Sequence, residues 1–324
     1  MTCRFCLQEP CTSPDSSGRR IMAASVKRFL QYSEIKTKIT SVSAFVLCLA
    51  YFLMRGLTIR WLPTAVFFLG MLVFDLATTT INNYIDSRTD DTVLPFNRRT
   101  ALVLTVILLT AAVGLGIWLV VLSDLFVLVL GGCCFVCGVF YTYGPVPISR
   151  LPLGEILSGL FYGFFIPWIF FYINLAPADF MQWQLQGNQI GLLIQVPNFL
   201  SLVLLAVAPF CCTANIMLAN NICDLEKDLR QGRRTLPSYI GPRYGLHLFT
   251  TLALLPYLTL PILALAGWAR PIVLLAAVSA VPVIKNIVLF YRKQDKRETF
   301  PLSLQNYLLT VLSFGLVMVL GIWI

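Results

Sequence analysis

The chain has 324 residues, 58% of them hydrophobic and only 12% charged, with 24 Lys and Arg against 15 Asp and Glu for a net charge of +9. About a quarter of the residues of an average soluble protein are charged, so this composition, with a mean hydropathy of +0.79, excludes a soluble globular domain and indicates an integral membrane protein. Its positive charge is a matter of membrane topology, and nucleic acid is not among the expected partners.

The first thirty residues, "MTCRFCLQEPCTSPDSSGRRIMAASVKRFL", lack the apolar core and cleavage site of a secretory signal. Cys3, Cys6 and Cys11 have no fourth Cys or His nearby, as a structural zinc site requires. Residues 1–32 are therefore expected to be a disordered or non-native tail, with Met22 as an alternative start, and residues 33–324 to form one transmembrane domain.

Crossing about 30 Å of hydrocarbon takes about 20 apolar helical residues. Nine such runs follow: Ile39 to Met54, Leu62 to Ile85, Ala101 to Leu122, Leu125 to Tyr143, Leu153 to Ile173, Phe199 to Ile222, Leu246 to Ala266, Ile272 to Tyr291 and Leu302 to Ile324. The expected fold is all-α and polytopic, with nine transmembrane helices. Lys and Arg are biased to the cytoplasmic side of a membrane protein. One alternating set of loops holds only Arg55, Arg60 and Arg270, so the N-terminus and the basic loops are placed in the cytoplasm.

Two of those basic loops carry one acidic pattern. "INNYIDSRTDD" from Ile81 and "ANNICDLEKDL" from Ala219 both contain Asn-Asn-x-x-Asp-x-x-x-Asp, which pairs Asn82 with Asn220, Asn83 with Asn221, Asp86 with Asp224, and Asp90 with Asp228. The copies follow the second and sixth segments, so the chain is read as two parallel four-helix repeats plus a ninth helix, with a site between the halves. Residues four apart on a helix lie one turn above each other, so each Asp pair is expected to share one side. Asn82, Thr79 and Asp75 continue that face into the membrane.

Four carboxylates at one mouth repel one another and need a cation between them. Hard oxygen ligands beside basic loops point to Mg²⁺, held by carboxylates and substrate phosphates. Two ions clamping a diphosphate would explain two motifs. Lys227, Arg230, Arg233 and Arg234 follow the second motif and could stabilise a departing diphosphate, although topology alone also accounts for them. Solvated acidic loops are the plain alternative, and the double occurrence argues against it.

With these motifs the chain resembles the UbiA superfamily of intramembrane aromatic prenyltransferases, over roughly Ser33 to the C-terminus. It is most similar to the MenA-type 1,4-dihydroxy-2-naphthoate polyprenyltransferases of menaquinone synthesis. That likeness rests on "EIKTKITS" from Glu34, "TTTINNYIDSRTDD" from Thr78, "YTYGPVPISRLPLGEILSGLFYGFFIP" from Tyr141 and "NNICDLEKDLRQGRRTLP" from Asn220, with "KRETF" from Lys296 less specific. The first motif departs from the family in reading Asn-Asn where many members have Asn-Asp. Pro237 also stands where Thr-Leu-Ala is more usual.

The resemblance implies a plasma-membrane enzyme of a bacterium that moves a polyprenyl group from polyprenyl diphosphate to an electron-rich naphthoate, with loss of its carboxyl group. Asp86, Asp90, Asp224 and Asp228, with Asn82 and Asn220, would hold two Mg²⁺ ions. Asn221, Lys227, Arg233, Tyr143 and Arg150 join Asn82 and Asn220 as candidate substrate-binding residues, with Arg150 for phosphate or the acceptor carboxylate. Asp75, Glu155 and Lys285 lie in or beside apolar segments, where an ionisable group is a functional candidate. Glu155 or Asp75 is expected to orient ring hydroxyls or take a proton. An ion-coupled transporter would place its acids at the bilayer midplane, and within the family 4-hydroxybenzoate is the alternative acceptor.

Overall fold

The computed structural model describes residues 25–89, 94–142, 151–186 and 189–324. The chain runs through α1 (Ile39–Arg55), α2 (Trp61–Thr89), α3 (Arg98–Leu122), α4 (Leu125–Thr142) and α5 (Gly154–Asn174). After a hairpin it continues through α6 (Val196–Cys223), the short α7 (Leu225–Arg230), α8 (Leu236–Leu265), α9 (Ala280–Arg292) and α10 (Phe300–Leu320). Among the described residues eight helical spans are long and apolar enough to cross a membrane. The fourth expected segment is α4, whose apolar part, Leu125–Val139, is shorter than the other spans.

Local chemistry sets the helix ends. Gly56 closes α1 at φ 64°, a left-handed conformation that costs glycine little, and its N–H reaches Leu53 O at 3.1 Å. Asn97 caps α3 by accepting the Thr100 N–H at 2.8 Å. Pro197, Pro237 and Pro301 sit at the starts of α6, α8 and α10, where a missing N–H costs nothing.

Packing follows from small residues and aromatic rings. Within α5, Gly159–Phe165 winds as a π-helix, a form that redirects side chains and is common at functional sites. Gly159 and Gly163 make a Gly-x-x-x-Gly step against α6. A Cβ at Gly163 would lie 2.1 Å from Phe210 Cα, so only glycine allows this approach. At the bundle end away from the motifs, Phe45, Tyr51 and Phe52 of α1 interlock with Phe170 and Phe171 of α5, with ring centroids 4.9 Å apart for Phe52 and Phe171.

One feature lies outside the all-helical expectation, and one outside the expected start of the domain. An antiparallel hairpin, β1 (Met181–Gln186) and β2 (Gln189–Ile194), joins α5 to α6 and pairs Trp183 with Leu192. Residues 25–32 are helical, and Tyr32 is buried, its hydroxyl 3.0 Å from both Thr80 O and Thr105 Oγ1. The packed structure therefore reaches back past Ser33.

Candidate functional site

The first motif occupies the last turns of α2. Asn82 lines a cavity, Asp86 is half-buried, and Asn83 turns away to donate to Tyr32 O at 2.9 Å and Glu34 Oε1 at 3.2 Å. Asp90, Tyr143 and Arg150 lie outside the described residues.

The second motif spans a junction. Asn220 and Asn221 end α6, and Asp224 is both its last cap and the entry to α7. The Asp228 N–H still bonds Asp224 O at 2.8 Å, so the four-residue step survives the break between helices. Asp228 is buried. That burial, with the Asp224 carboxylate beside it, raises its carboxyl above the ordinary range, while Arg233, Lys227 and Lys296 pull it back. Arg230 instead pairs on the surface with Glu226 at 3.5 Å.

Sequence reasoning did not single out Lys296. Its ammonium sits 2.5 Å from Asp224 Oδ2, bonds Asn220 Oδ1, and lies 4.9 Å from the Phe300 ring centre. The "KRETF" stretch was the available signal. What the sequence did not indicate was that a loop 72 residues further on returns to the motif.

A cavity of about 590 Å³ leads from Asn82 past Thr78 and Asp75 to apolar residues, including Phe67, Leu119, Val127 and Ile169. Met217, one turn before Asn221 on α6, lines the same space, so residues from both motif-bearing helices meet there. Asn82 and Val66 are sixteen residues apart on α2, about 24 Å at 1.5 Å per residue. The cavity is polar at one end and apolar along its length.

Asp75 is heavily engaged. Its carboxylate accepts from Lys38 Nζ at 2.8 Å, Ser41 Oγ at 2.6 Å and Tyr162 OH at 2.9 Å. The π-turn is the segment that carries Tyr162 to this point. Lys38 was another residue that sequence reasoning missed, because its partner is 37 residues away on a different helix. Glu155, in the first turn of α5, is buried at 3% exposure and accepts from Asn221 Nδ2 at 2.8 Å.

The donors fit a hard divalent cation. Among the described residues no three His, Cys, Asp or Glu side chains cluster, but Asn220 Oδ1 and Asp224 Oδ2 already converge on one cationic atom, the Lys296 ammonium. Carboxylate and carboxamide oxygens of this kind suit Mg²⁺.

A sequence model of the UbiA prenyltransferase family matches residues 43–309. The 1,4-dihydroxy-2-naphthoate octaprenyltransferase of Bacillus subtilis (strain 168) is 28% identical over 180 residues, 55% of this chain and 51% of that protein. The chain thus spans about half the length of the curated relative it matches. Two solved structures share the fold. A UbiA homolog from Aeropyrum pernix K1 superposes with a TM-score of 0.62 at 16% identity, covering 88% of this chain and 97% of that one. A UbiA homolog from Archaeoglobus fulgidus bound to DMAPP and Mg²⁺ gives 0.55 at 14% identity, covering 90% and 99%. With the family match running over most of the helical body and both motifs, the chain belongs to the UbiA prenyltransferase family.

Proposed function

We propose that the chain transfers a polyprenyl group from a polyprenyl diphosphate to 1,4-dihydroxy-2-naphthoate, with loss of the carboxyl group, in menaquinone synthesis. The observation that carries this reading is the cavity, polar at Asn82 and apolar from Phe67 to Ile169. A ligand with a charged head and a long hydrocarbon tail has that shape. The naphthoate enzyme of Bacillus subtilis and the homolog solved with DMAPP and Mg²⁺ support the choice of acceptor and donor.

Asp86, Asp90, Asp224 and Asp228, with Asn82 and Asn220, would hold two Mg²⁺ ions, which supply Lewis-acid neutralisation of the leaving diphosphate when bound. Lys296, Lys227 and Arg233 add fixed positive charge where the diphosphate departs. Arg150, Tyr143 and Asn221 are assigned to substrate binding. Phe161, Tyr162 and Phe165 line the cavity and offer ring faces to the developing allylic cation, each worth about 0.5–2 kcal/mol. The apolar wall excludes water that would otherwise capture that cation.

The same reading makes α4 a ninth crossing: eighteen residues rise about 27 Å, close to the hydrocarbon thickness. It also places two four-helix repeats side by side, with the N-terminus and both motifs cytoplasmic in a bacterial plasma membrane. The test is to incubate purified protein with Mg²⁺, radiolabelled polyprenyl diphosphates and a panel of aromatic acids. Mg²⁺-dependent prenylation of the naphthoate is expected. Faster prenylation of 4-hydroxybenzoate would overturn the acceptor, and no product with any acceptor would overturn the activity.

A further inference from the structure

The second Asn of each motif does the same thing. Asn83 donates to Glu34 Oε1 at 3.2 Å, and Asn221 donates to Glu155 Oε1 at 2.8 Å. The two glutamates open matching tetrapeptides, "EIKT" from Glu34 and "EILS" from Glu155. In each, the hydroxyl three residues on returns to the glutamate's own carbonyl, Thr37 Oγ1 at 2.9 Å and Ser158 Oγ at 3.0 Å. One Asn–Glu clamp has been built twice.

The copies differ in what surrounds the acid. Glu34 is exposed and solvated, whereas Glu155 is 3% exposed and its Oε2 has no hydrogen-bond partner among the described residues. A buried carboxyl oxygen without a partner is expensive to maintain. Its position shows what could supply one. Ser158, one turn further along α5, and Met217, one turn before Asn221 on α6, both line the cavity, so the buried Glu155–Asn221 pair lies one helical turn from the cavity lining. Asp75, the other acid in this region, already accepts from Lys38, Ser41 and Tyr162.

We infer that Glu155 Oε2 receives the hydroxyl of the aromatic acceptor and borrows its proton, and that Asn221 is a positioning residue that holds Glu155 for this task. The inference rests on the prenyl-transfer reading and names the acid for its acceptor half. As the prenyl carbon–oxygen bond breaks, the electron pair leaves on the diphosphate. The ring carbon bearing the carboxylate forms the new carbon–carbon bond with a ring electron pair, and the neighbouring hydroxyl becomes a carbonyl as its proton passes to Glu155. Departure of CO₂ returns the carbon–carbon bond pair to the ring, and the oxygen recovers its proton from Glu155. No net proton is gained or lost, and no co-reactant is needed. Asn220 faces Lys296 and Asp224 while Asn221 faces Glu155, so adjacent residues of one motif serve the diphosphate and the acceptor.

The test uses the full chain in lipid nanodiscs with Mg²⁺ and compares Glu155→Gln, Glu155→Asp and Asn221→Ala with wild type. Two rates are measured: prenyl transfer to the naphthoate, and diphosphate release from prenyl diphosphate without acceptor. Glu155→Gln keeps the size and hydrogen bonding of the side chain but cannot take a proton, so transfer should fall about 100-fold or more, the usual scale of general-base catalysis. Acceptor-free diphosphate release and the KM for prenyl diphosphate should stay close to wild type. Glu155→Asp should recover part of the transfer rate, and Asn221→Ala should raise the acceptor KM. Equal loss of both rates in Glu155→Gln and Glu155→Asp would overturn the inference, as would near-normal transfer in Glu155→Gln. If wild type itself prenylates nothing, the failure belongs to the prenyl-transfer reading and takes this inference with it.

Discussion

Lys38 and Asp75 form an ion pair at 2.8 Å in which both side chains are buried, at 3% and 5% exposure. Lys38 spends its remaining donors on Asp75 O at 3.0 Å and on Thr79 Oγ1. Asp75 is closed by Ser41 and Tyr162. The cluster ties the start of α1, the middle of α2 and the π-turn of α5 together at the side of the cavity. Removing one partner of such a pair leaves an uncompensated buried charge, at a cost of about 3–5 kcal/mol. Lys38→Met should therefore lower the unfolding midpoint in detergent sharply, and adding Asp75→Asn to it should restore much of the loss. A single variant as stable as wild type would show that the pair does not hold the helices.

The metal motifs give the second prediction. If Asp86 and Asp224 hold Mg²⁺ against diphosphate, Asp86→Ala and Asp224→Ala should each lower turnover by orders of magnitude while the protein stays folded, because Lewis-acid assistance is lost. EDTA should abolish turnover and Mg²⁺ should restore it. Wild-type turnover in EDTA, or near-normal rates in both variants, would rule out the metal site.

Lys296 touches the same two oxygens, Asn220 Oδ1 and Asp224 Oδ2. On the proposed function, a lysine there would compete with a divalent cation when no diphosphate is present and contribute positive charge to the leaving group when it is. Lys296→Met is expected to raise the KM for prenyl diphosphate several-fold and to lower the Mg²⁺ concentration needed for half-maximal rate. Titrating both ligands against the initial rate checks the pair of shifts. Movement of neither would assign Lys296 to the surface alone.

Much of this was legible beforehand because it is local. Apolar runs marked the helices, and the repeated Asn-Asn-x-x-Asp-x-x-x-Asp marked the two helix ends that border the cavity. What was hidden depends on tertiary reach. Lys38 reads as one more basic residue before an apolar run until α2 brings Asp75 alongside it. Lys296 reads as a loop charge until that loop returns to Asp224. The hairpin carried its own signal in the alternating Gln182, Gln184 and Gln186 followed by Gly187-Asn188, but within so apolar a chain that stretch reads as a polar connection. The π-turn that aims Tyr162 has no sequence signature beyond its two glycines.

Those glycines give a packing prediction. At Gly163 an added Cβ would lie 2.1 Å from both Cα and N of Phe210, and backbone atoms cannot swing aside as a flexible side chain can. Gly163→Ala should push α5 from α6 at a cost of about 1–3 kcal/mol or more. Gly114→Ala on α3 meets nothing within 4 Å and should be tolerated. Thermal unfolding of the two variants side by side makes the comparison, and equal stability would contradict the close approach.

If the cavity holds the prenyl tail of the donor, it also predicts how donor length is selected. Gly131 and Gly132 of α4 line it, and an added Cβ at either position meets nothing within 4 Å. A larger side chain there enters the cavity rather than a packed helix interface, so the fold should survive while the space for hydrocarbon shrinks. Each methylene of a prenyl tail buried in the cavity is worth about 0.8 kcal/mol, and a tail denied that burial loses affinity in proportion to the length displaced. Gly132→Phe should therefore raise the KM for long polyprenyl diphosphates far more than for dimethylallyl or geranyl diphosphate, whose short tails stay near Asn82. The ratio of kcat/KM for long and short donors, measured in both proteins at saturating acceptor, reads this out. An unchanged ratio would place the prenyl tail somewhere other than the cavity between α2, α3, α4 and α5, and the search for the donor site would then move to the α6 side of the motifs.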